Sequence, residues 1–259
     1  MPGGASEDAA VTLTTLLPRV SVVVPAWDDP ARLVAVLERV PVAHEVVVVH
    51  DGSSDAAVAA ARDSRATVRV ATQRHRDTPG ALEAGIAAAT GDIVVTLAAD
   101  GSHRPEDIGR LVTALCDGAD VATGSRALAG GGSARITPLR AAGGGALTTA
   151  ANLLFRVRAT DVAYGYTAFW SAHAARLSGR GADAEGALLL PIRAARAGLR
   201  VTEVACIEDA PAEASGRGRP VRDGARILRA FLAQRLRGDR RSDRRAPGER
   251  PFQAIGETA

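Results

Sequence analysis

The sequence predicts an α/β fold in which helices cover both faces of a mostly parallel central sheet, followed by a C-terminal amphipathic helix. Two observations support this prediction. Short β-branched runs alternate with helical patterns through the first half of the chain. These runs are apolar at successive positions instead of alternating, which is typical of parallel strands buried on both faces.

The elements follow one another in a regular order. The predicted strands are Arg19 to Pro25, Glu45 to Val49, Val68 to Thr72, Ile93 to Leu97, Ala119 to Thr123 and Leu199 to Ile207. The first predicted helix begins after Pro30, and the second ends near Arg62. The other predicted helices span Pro79 to Ala89, Pro105 to Leu115, Leu188 to Ala197 and Val221 to Arg237.

The chain is long enough to bury a full core, with 259 residues of which 46% are hydrophobic. We expect a flexible N-terminus over 1–18, one domain over 19–237 and a disordered basic tail over 238–259. No apolar stretch reaches the roughly 20 residues that cross a bilayer. The sequence therefore predicts a soluble, cytoplasmic protein, with Cys116 and Cys206 as small core residues.

Two segments interrupt the regular pattern. Three consecutive glycines at 130–132 and again at 143–145 predict mobile or closely packed backbone. The segment TDVAYGYTAFW at 160–170 gathers both tyrosines of a chain that is only 3% aromatic. These rings favour either a pocket wall or an aromatic cluster of the core, and the sequence does not separate the two.

The basic residues are concentrated near the C-terminus. Between Gly216 and Arg250 there are 12 Arg and 4 acidic residues, whereas the whole chain has a net charge of +3. The scarcity of aromatic residues disfavours a nucleic-acid partner. Peripheral contact of Val221 to Arg237 with an anionic membrane is one interpretation of this helix, and packing of its apolar stripe on the domain is the other.

Three acidic turns follow predicted strands. They are Ala26 to Asp29, His50 to Asp55 and Ala98 to His103. The carboxyl ends of parallel strands meet at one edge of a sheet, which is where ligands bind in such folds. Two carboxylates one residue apart at a strand end would suit Mg²⁺ or Mn²⁺ beside a diphosphate, but Ala98 stands two residues before Asp100.

Several segments, in the same order, resemble the family 2 glycosyltransferases of GT-A (Rossmann-like) fold. The likeness is greatest to the branch that includes dolichyl-phosphate mannose synthase, and it extends from residue 19 to about 237. The matching segments are VSVVVPAWDD, EVVVVHDGSSD, GALEAGIAAATGDIVVTLAADGSHRPEDI, ADVATGSR and TDVAYGYTAFW.

The resemblance implies a nucleoside diphosphate sugar as donor, a divalent metal (Mg²⁺ or Mn²⁺) as cofactor, and an acceptor that could be a polyprenyl phosphate. The residues that it implies around the base and ribose are Asp28, Asp29, Asp51, Ser53 and Asp55. It implies that Asp100 holds the metal, with Ser102 beside it, and that Glu185 or Asp183 serves as base. His103 is expected to belong to the turn.

The chain departs from the family pattern at three places. Ala98 replaces the first acid of the Asp-x-Asp motif, Thr78 stands where relatives carry Lys, and Ala187 stands where a second acid follows Glu185. Two functions therefore remain open. One is a sugar transferase with Asp100 as a catalytic residue, and the other is a non-catalytic relative that binds a nucleotide or a partner protein.

Overall fold

The computed structural model describes residues 17–25, 29–42, 44–50, 55–64, 68–72, 78–134, 136–178, 186–210, 220–238 and 252–254. The strands are β1 (Val20–Pro25), β2 (Glu45–His50), β3 (Val68–Thr72), β4 (Ile93–Thr96), β5 (Val121–Ser125), β6 (Gly132–Ser133), β7 (Thr167–Trp170), β8 (Val201–Ala205), β9 (Ile207–Glu208) and β10 (Phe252–Ala254). The helices are α1 (Pro30–Arg39), α2 (Asp55–Ser64), α3 (Thr78–Ala88), α4 (Ile108–Cys116), α5 (Pro138–Phe155), α6 (Ala174–Leu177), α7 (Gly186–Arg196) and α8 (Pro220–Gly238). Short 3-10 turns at Pro105–Asp107 and Ser171–His173 lead into α4 and α6.

The main sheet of the described residues has eight strands in the order β10-β8-β5-β7-β4-β1-β2-β3. Its strand pairs are parallel except those of β7, which lies antiparallel between β4 and β5. The prediction of a mostly parallel sheet with helices on both faces is confirmed. β6 and β9 form a separate pair beside it.

Alternate residues of the strands enter two cores, one on each face of the sheet. Val22 and Val24 of β1 belong to the core that α1, α2 and α4 cover, whereas Val23 belongs to the core beneath α3, α5, α7 and α8. Successive strand side chains point to opposite faces, so both sets must be apolar. This is the physical reason for the uninterrupted valine runs in the sequence.

The structure differs from the sequence prediction at the second glycine run. Gly143, Gly144 and Gly145 lie in the middle of α5, and a Cβ atom added at any of them would meet nothing within 4 Å. The backbone there is helical and is not closely packed. The sequence does not predict this helix because glycine has a low helix propensity. Packing of α5 on α8 stabilises the helix in spite of the three glycines.

Two further expectations need correction. Phe252–Ala254, within the predicted disordered tail, forms β10 and pairs in parallel with β8. Cys206 is buried as predicted, but Cys116 is exposed at the end of α4. The N-terminal segment predicted to be flexible lies outside the described residues as far as residue 16. Among the helices that the structure describes, none is long and apolar enough to span a membrane.

We predict opposite effects for two Gly→Ala substitutions. Gly143→Ala should raise the free energy of unfolding by about 0.5–1 kcal/mol, because alanine restricts the unfolded chain and meets no neighbour in the helix. Gly85→Ala should lower it by about 1–3 kcal/mol, since the new Cβ would lie 2.3 Å from Val23 Cγ1 and 2.7 Å from Val49 Cγ2. Urea unfolding of both variants measures the difference, and equal effects would contradict the packing described for α3 and α5.

Candidate functional site

A cavity of about 250 Å³ opens where β1 and β4 end. Pro25 is the last residue of β1 and Thr96 the last of β4, so the cavity lies at the sheet edge predicted to bind ligands. Its lining residues are mostly small or apolar: Pro25, Leu82, Thr96, Leu97, Ala98, Ala99, Asp100, His103, Gly165 and Ala187. Among the lining residues that the structure describes, Asp100 carries the one carboxylate.

Asp100 belongs to a tight turn after β4. Its Oδ1 accepts hydrogen bonds from the Ser102 amide at 2.9 Å and from the Ser102 hydroxyl at 2.5 Å. Gly101 between them has φ of +77°, a left-handed conformation that glycine adopts without strain. The turn therefore holds the half-buried carboxylate at the cavity wall.

His103 fixes the turn from the protein side. Its Nδ1 accepts from the Ala98 amide at 3.2 Å, so the ring proton resides on Nε2 and is donated to the Tyr164 carbonyl at 3.0 Å. The ring stacks on Tyr166 with centroids 4.5 Å apart. Burial lowers the pKa of His103, so the imidazole is neutral. As expected, His103 belongs to the turn, but it also joins two segments of the site.

The tyrosines serve packing. Tyr164 and Tyr166 are buried with the core, and the Tyr166 hydroxyl donates to the Arg104 carbonyl at 2.7 Å. Their rings do not line the described cavity, whose wall here is the backbone of Gly165. The interpretation of these rings as a pocket wall is therefore wrong, and the aromatic-core alternative holds.

A buried charge network supports the segment behind the tyrosines. The Arg126 guanidinium binds Asp161 at 2.7 Å and Glu208 at 3.0 Å, and it lies over the Tyr164 ring. Glu203 accepts from the amides of Thr160 and Asp161. These interactions hold Thr160, Asp161 and Tyr164 of the loop that leads into β7.

The predicted nucleotide-binding residues are only partly described. Asp29 accepts from the Arg32 amide at 3.1 Å and caps α1, and Asp55 is the first residue of α2. Asp28, Asp51, Ser53 and Glu185 lie outside the described residues. The roles inferred for these six residues remain predictions.

Both described positions at which the family pattern loses an acid line the same cavity. Ala98 comes from the turn after β4, and Ala187 comes from the first turn of α7. The sequence pattern locates these two departures but does not reveal that both residues lie at one cavity. Leu82 and Gly165 complete the wall, and no polar pattern in the sequence indicates them.

The described oxygen donors suit a hydrated divalent ion. Among the residues that the structure describes, no group of three His, Cys, Asp or Glu side chains could hold a metal. Asp100 and the Ser102 hydroxyl remain as neighbouring donors at the turn. Mg²⁺ commonly keeps several waters and takes one or two carboxylates, so this sparse set fits such an ion.

We predict that His103 makes stability depend on pH. Its folded-state pKa is below the unfolded value, so its contribution is complete above about pH 6.5 and is lost as the pH falls through the folded pKa. His103→Asn keeps an acceptor for the Ala98 amide and removes the titration. Between about pH 7.5 and about pH 5, the free energy of unfolding measured in urea should fall less steeply in the variant than in the wild type. The slopes should differ by at most about 1.4 kcal/mol per pH unit. Equal slopes would exclude this role.

We predict that Arg126→Met costs about 3–5 kcal/mol of unfolding free energy, because it leaves Asp161 and Glu208 buried without their cation. The matched control is Arg69→Met, which removes a surface ion pair with Glu45 and should cost less than about 1 kcal/mol. Chemical denaturation of both variants measures the difference. A small effect of Arg126→Met would show that the network does not stabilise the loop.

Solved structures share the fold at low identity. Glucosyl-3-phosphoglycerate synthase from Mycobacterium tuberculosis, in complex with Mn²⁺, uridine diphosphate and glucosyl-3-phosphoglycerate, matches with a TM-score of 0.60 and 23% identity, covering 91% of this chain and 85% of that one. Mannosyl-3-phosphoglycerate synthase from Rubrobacter xylanophilus matches with a TM-score of 0.63 and 18% identity, covering 93% and 82%.

Curated relatives match over a shorter region. The undecaprenyl-phosphate 4-deoxy-4-formamido-L-arabinose transferase of Aeromonas hydrophila is 40% identical over 114 residues, covering 39% of this chain and 35% of the relative. The same transferase of Pseudomonas aeruginosa strain LESB58 is 38% identical over 120 residues, covering 42% and 35%. The match therefore spans about a third of the length of these relatives.

The model of glycosyl transferase family 2 matches residues 21–175. This region runs from β1 to the start of α6 and contains the turn of Asp100, His103 and the segment before β7. It covers more than half of the chain. The chain therefore belongs to glycosyl transferase family 2.

Proposed function

We propose that the chain transfers a sugar from a nucleoside diphosphate sugar to a lipid phosphate of the polyprenyl type. The observation that carries this proposal is the cavity at the strand ends, which Asp100 lines. The sequence resemblance implies that Asp100 corresponds to the second acid of an Asp-x-Asp motif. Membership of glycosyl transferase family 2 supports the reaction class. The transferases of Aeromonas and Pseudomonas, whose names specify undecaprenyl phosphate, support the class of acceptor.

Each predicted site residue has a role in this proposal. Five residues would surround the base and ribose: Asp28, Asp29, Asp51, Ser53 and Asp55. Asp100 would hold a hydrated Mg²⁺ or Mn²⁺, with Ser102 orienting its carboxylate, and Glu185 would take the proton from an acceptor. A bound divalent ion neutralises the diphosphate charge that develops as the sugar leaves. Neighbouring structures solved with Mn²⁺ or Mg²⁺ and uridine diphosphate support the choice of ion.

The acceptor class requires access to a membrane. We propose that the contact is peripheral and runs through the helix at 221–237, which combines arginines with apolar residues.

A second candidate function is a non-catalytic relative that binds a nucleotide or a partner protein. The observation that favours it is the pair Ala98 and Ala187, which line the cavity at positions where the family pattern has acids. A methyl group cannot ligate a metal or accept a proton. The two candidates differ in whether binding of a diphosphate responds to a divalent ion.

We predict that Mn²⁺ tightens the binding of a nucleoside diphosphate by about tenfold or more in the wild-type chain. Asp100→Asn should remove this increment, because it keeps the shape of the side chain but loses the charge. Ala98→Asp should enlarge the increment and raise donor hydrolysis, whereas the uncharged control Ala98→Asn should not. Titration calorimetry with UDP, GDP and their sugars, with and without Mn²⁺, measures binding, and release of free sugar measures hydrolysis.

Each contrary outcome has a distinct meaning. Nucleotide binding that is indifferent to Mn²⁺ in the wild type would overturn the metal-assisted reaction. An Ala98→Asp variant that behaves like Ala98→Asn would show that the missing carboxylate does not limit the site. No binding of any nucleotide would overturn the transferase proposal and favour a partner protein.

A further inference from the structure

Helix α8 exposes a row of leucines although its other apolar face is already packed. Leu228, Leu232 and Leu236 are 40%, 47% and 72% exposed, and their spacing of four residues places them on one side of the helix. Ala230 and Phe231 on the opposite side are buried, and the Phe231 ring meets Phe155 of α5 edge to face at 6.0 Å. The leucine row is therefore not used to dock α8 on the domain.

The neighbouring helix has the same character. Leu139 and Leu153 of α5 are 63% and 77% exposed, and Ile136 just before the helix is 58% exposed. Every described residue from 136 to 143 is exposed, so this end of α5 stands clear of the domain. Of the eight large hydrophobic residues exposed in the described part of the chain, six lie in α8, in α5 or just before α5, and they are called the α5–α8 surface. Such a concentration on adjacent helices marks an interaction surface.

The positive charge of the surface indicates an anionic partner. The sequence of α8 has five arginines and one acidic residue, Asp223, and α5 adds Arg140 with no acid. With about 3.6 residues per turn, Arg229 and Arg235 fall on either side of the leucine row, and both are exposed. An apolar row between cationic side chains suits the boundary between acyl chains and anionic headgroups.

We propose that the α5–α8 surface, formed by these six apolar residues and the flanking arginines, binds an anionic lipid bilayer. A second copy of the chain fits less well, because pairing two such faces would bring arginines of both copies together. The inference deepens the peripheral contact proposed above and rests on it. It adds α5 to the contact and assigns the exposed leucines, not Ile227 and Phe231, to the membrane.

The test is sedimentation of the full chain with vesicles, without donor or acceptor. Binding should be strong to phosphatidylcholine vesicles that contain roughly one third phosphatidylglycerol, weak to phosphatidylcholine alone, and reduced by salt. Replacing Leu228, Leu232 and Leu236 together by Gln should weaken binding by at least about tenfold, and Leu139→Gln with Leu153→Gln should weaken it severalfold. The matched control is Leu17→Gln with Val42→Gln, which removes two exposed apolar residues elsewhere and should leave binding unchanged.

Thermal unfolding checks that the variants fold, which is expected because the replaced side chains are exposed. The proposal is overturned if the wild type does not bind anionic vesicles, or if the triple variant binds like the wild type. It is also overturned if light scattering shows a dimer that the triple variant dissociates, since the leucines would then belong to an interface between copies. The sedimentation experiment does not measure sugar transfer. A failure to bind vesicles can therefore be distinguished from a failure of the proposed reaction.

Discussion

The insertion of one antiparallel strand between β4 and β5 determines how the site is built. Thr96 at the end of β4 pairs with Thr167 at the start of β7, and the Thr96 hydroxyl accepts from the Thr167 amide at 3.2 Å. Because β7 runs against its neighbours, the segment that precedes it lies beside the turn that follows β4. His103 can then bridge Ala98 and the Tyr164 carbonyl. A parallel strand in the same place would send that segment to the opposite edge of the sheet.

The position of the turn and the chemistry at its surface are separate properties of this chain. The turn depends on a backbone amide of Ala98, a glycine at position 101 and a buried histidine, none of which requires a carboxylate at position 98. An alanine there leaves every described hydrogen bond of the turn in place. The described hydrogen bonds of the turn therefore place no demand on the side chain at position 98.

The sequence predicted the strands of the parallel sheet because valine runs buried on both faces leave a pattern that needs no knowledge of partners. β7 was missed because its antiparallel pairing with β4 and β5 is non-local, and the surrounding aromatic residues suit a pocket wall as well as a core. The sequence does not predict α5, because Gly143 to Gly145 weaken its helical pattern. The helix forms because contact with α8 stabilises it. Asp100 was predicted from its place after β4, whereas the cavity wall formed by Leu82, Gly165 and Ala187 depends on how distant segments meet.

Helix α8 shows that predicting a helix correctly does not predict which of its sides packs on the domain. The sequence of α8 has two apolar rows, one containing Ile227 and Phe231 and the other Leu228, Leu232 and Leu236, and a helical pattern alone treats them as one broad stripe. Phe155 of α5 decides between them, because the Phe231 ring fits against it. The larger row then faces away from the domain. Exposing three leucines among arginines is unfavourable in water and favourable at a lipid boundary, which is why this row suits the membrane contact proposed above.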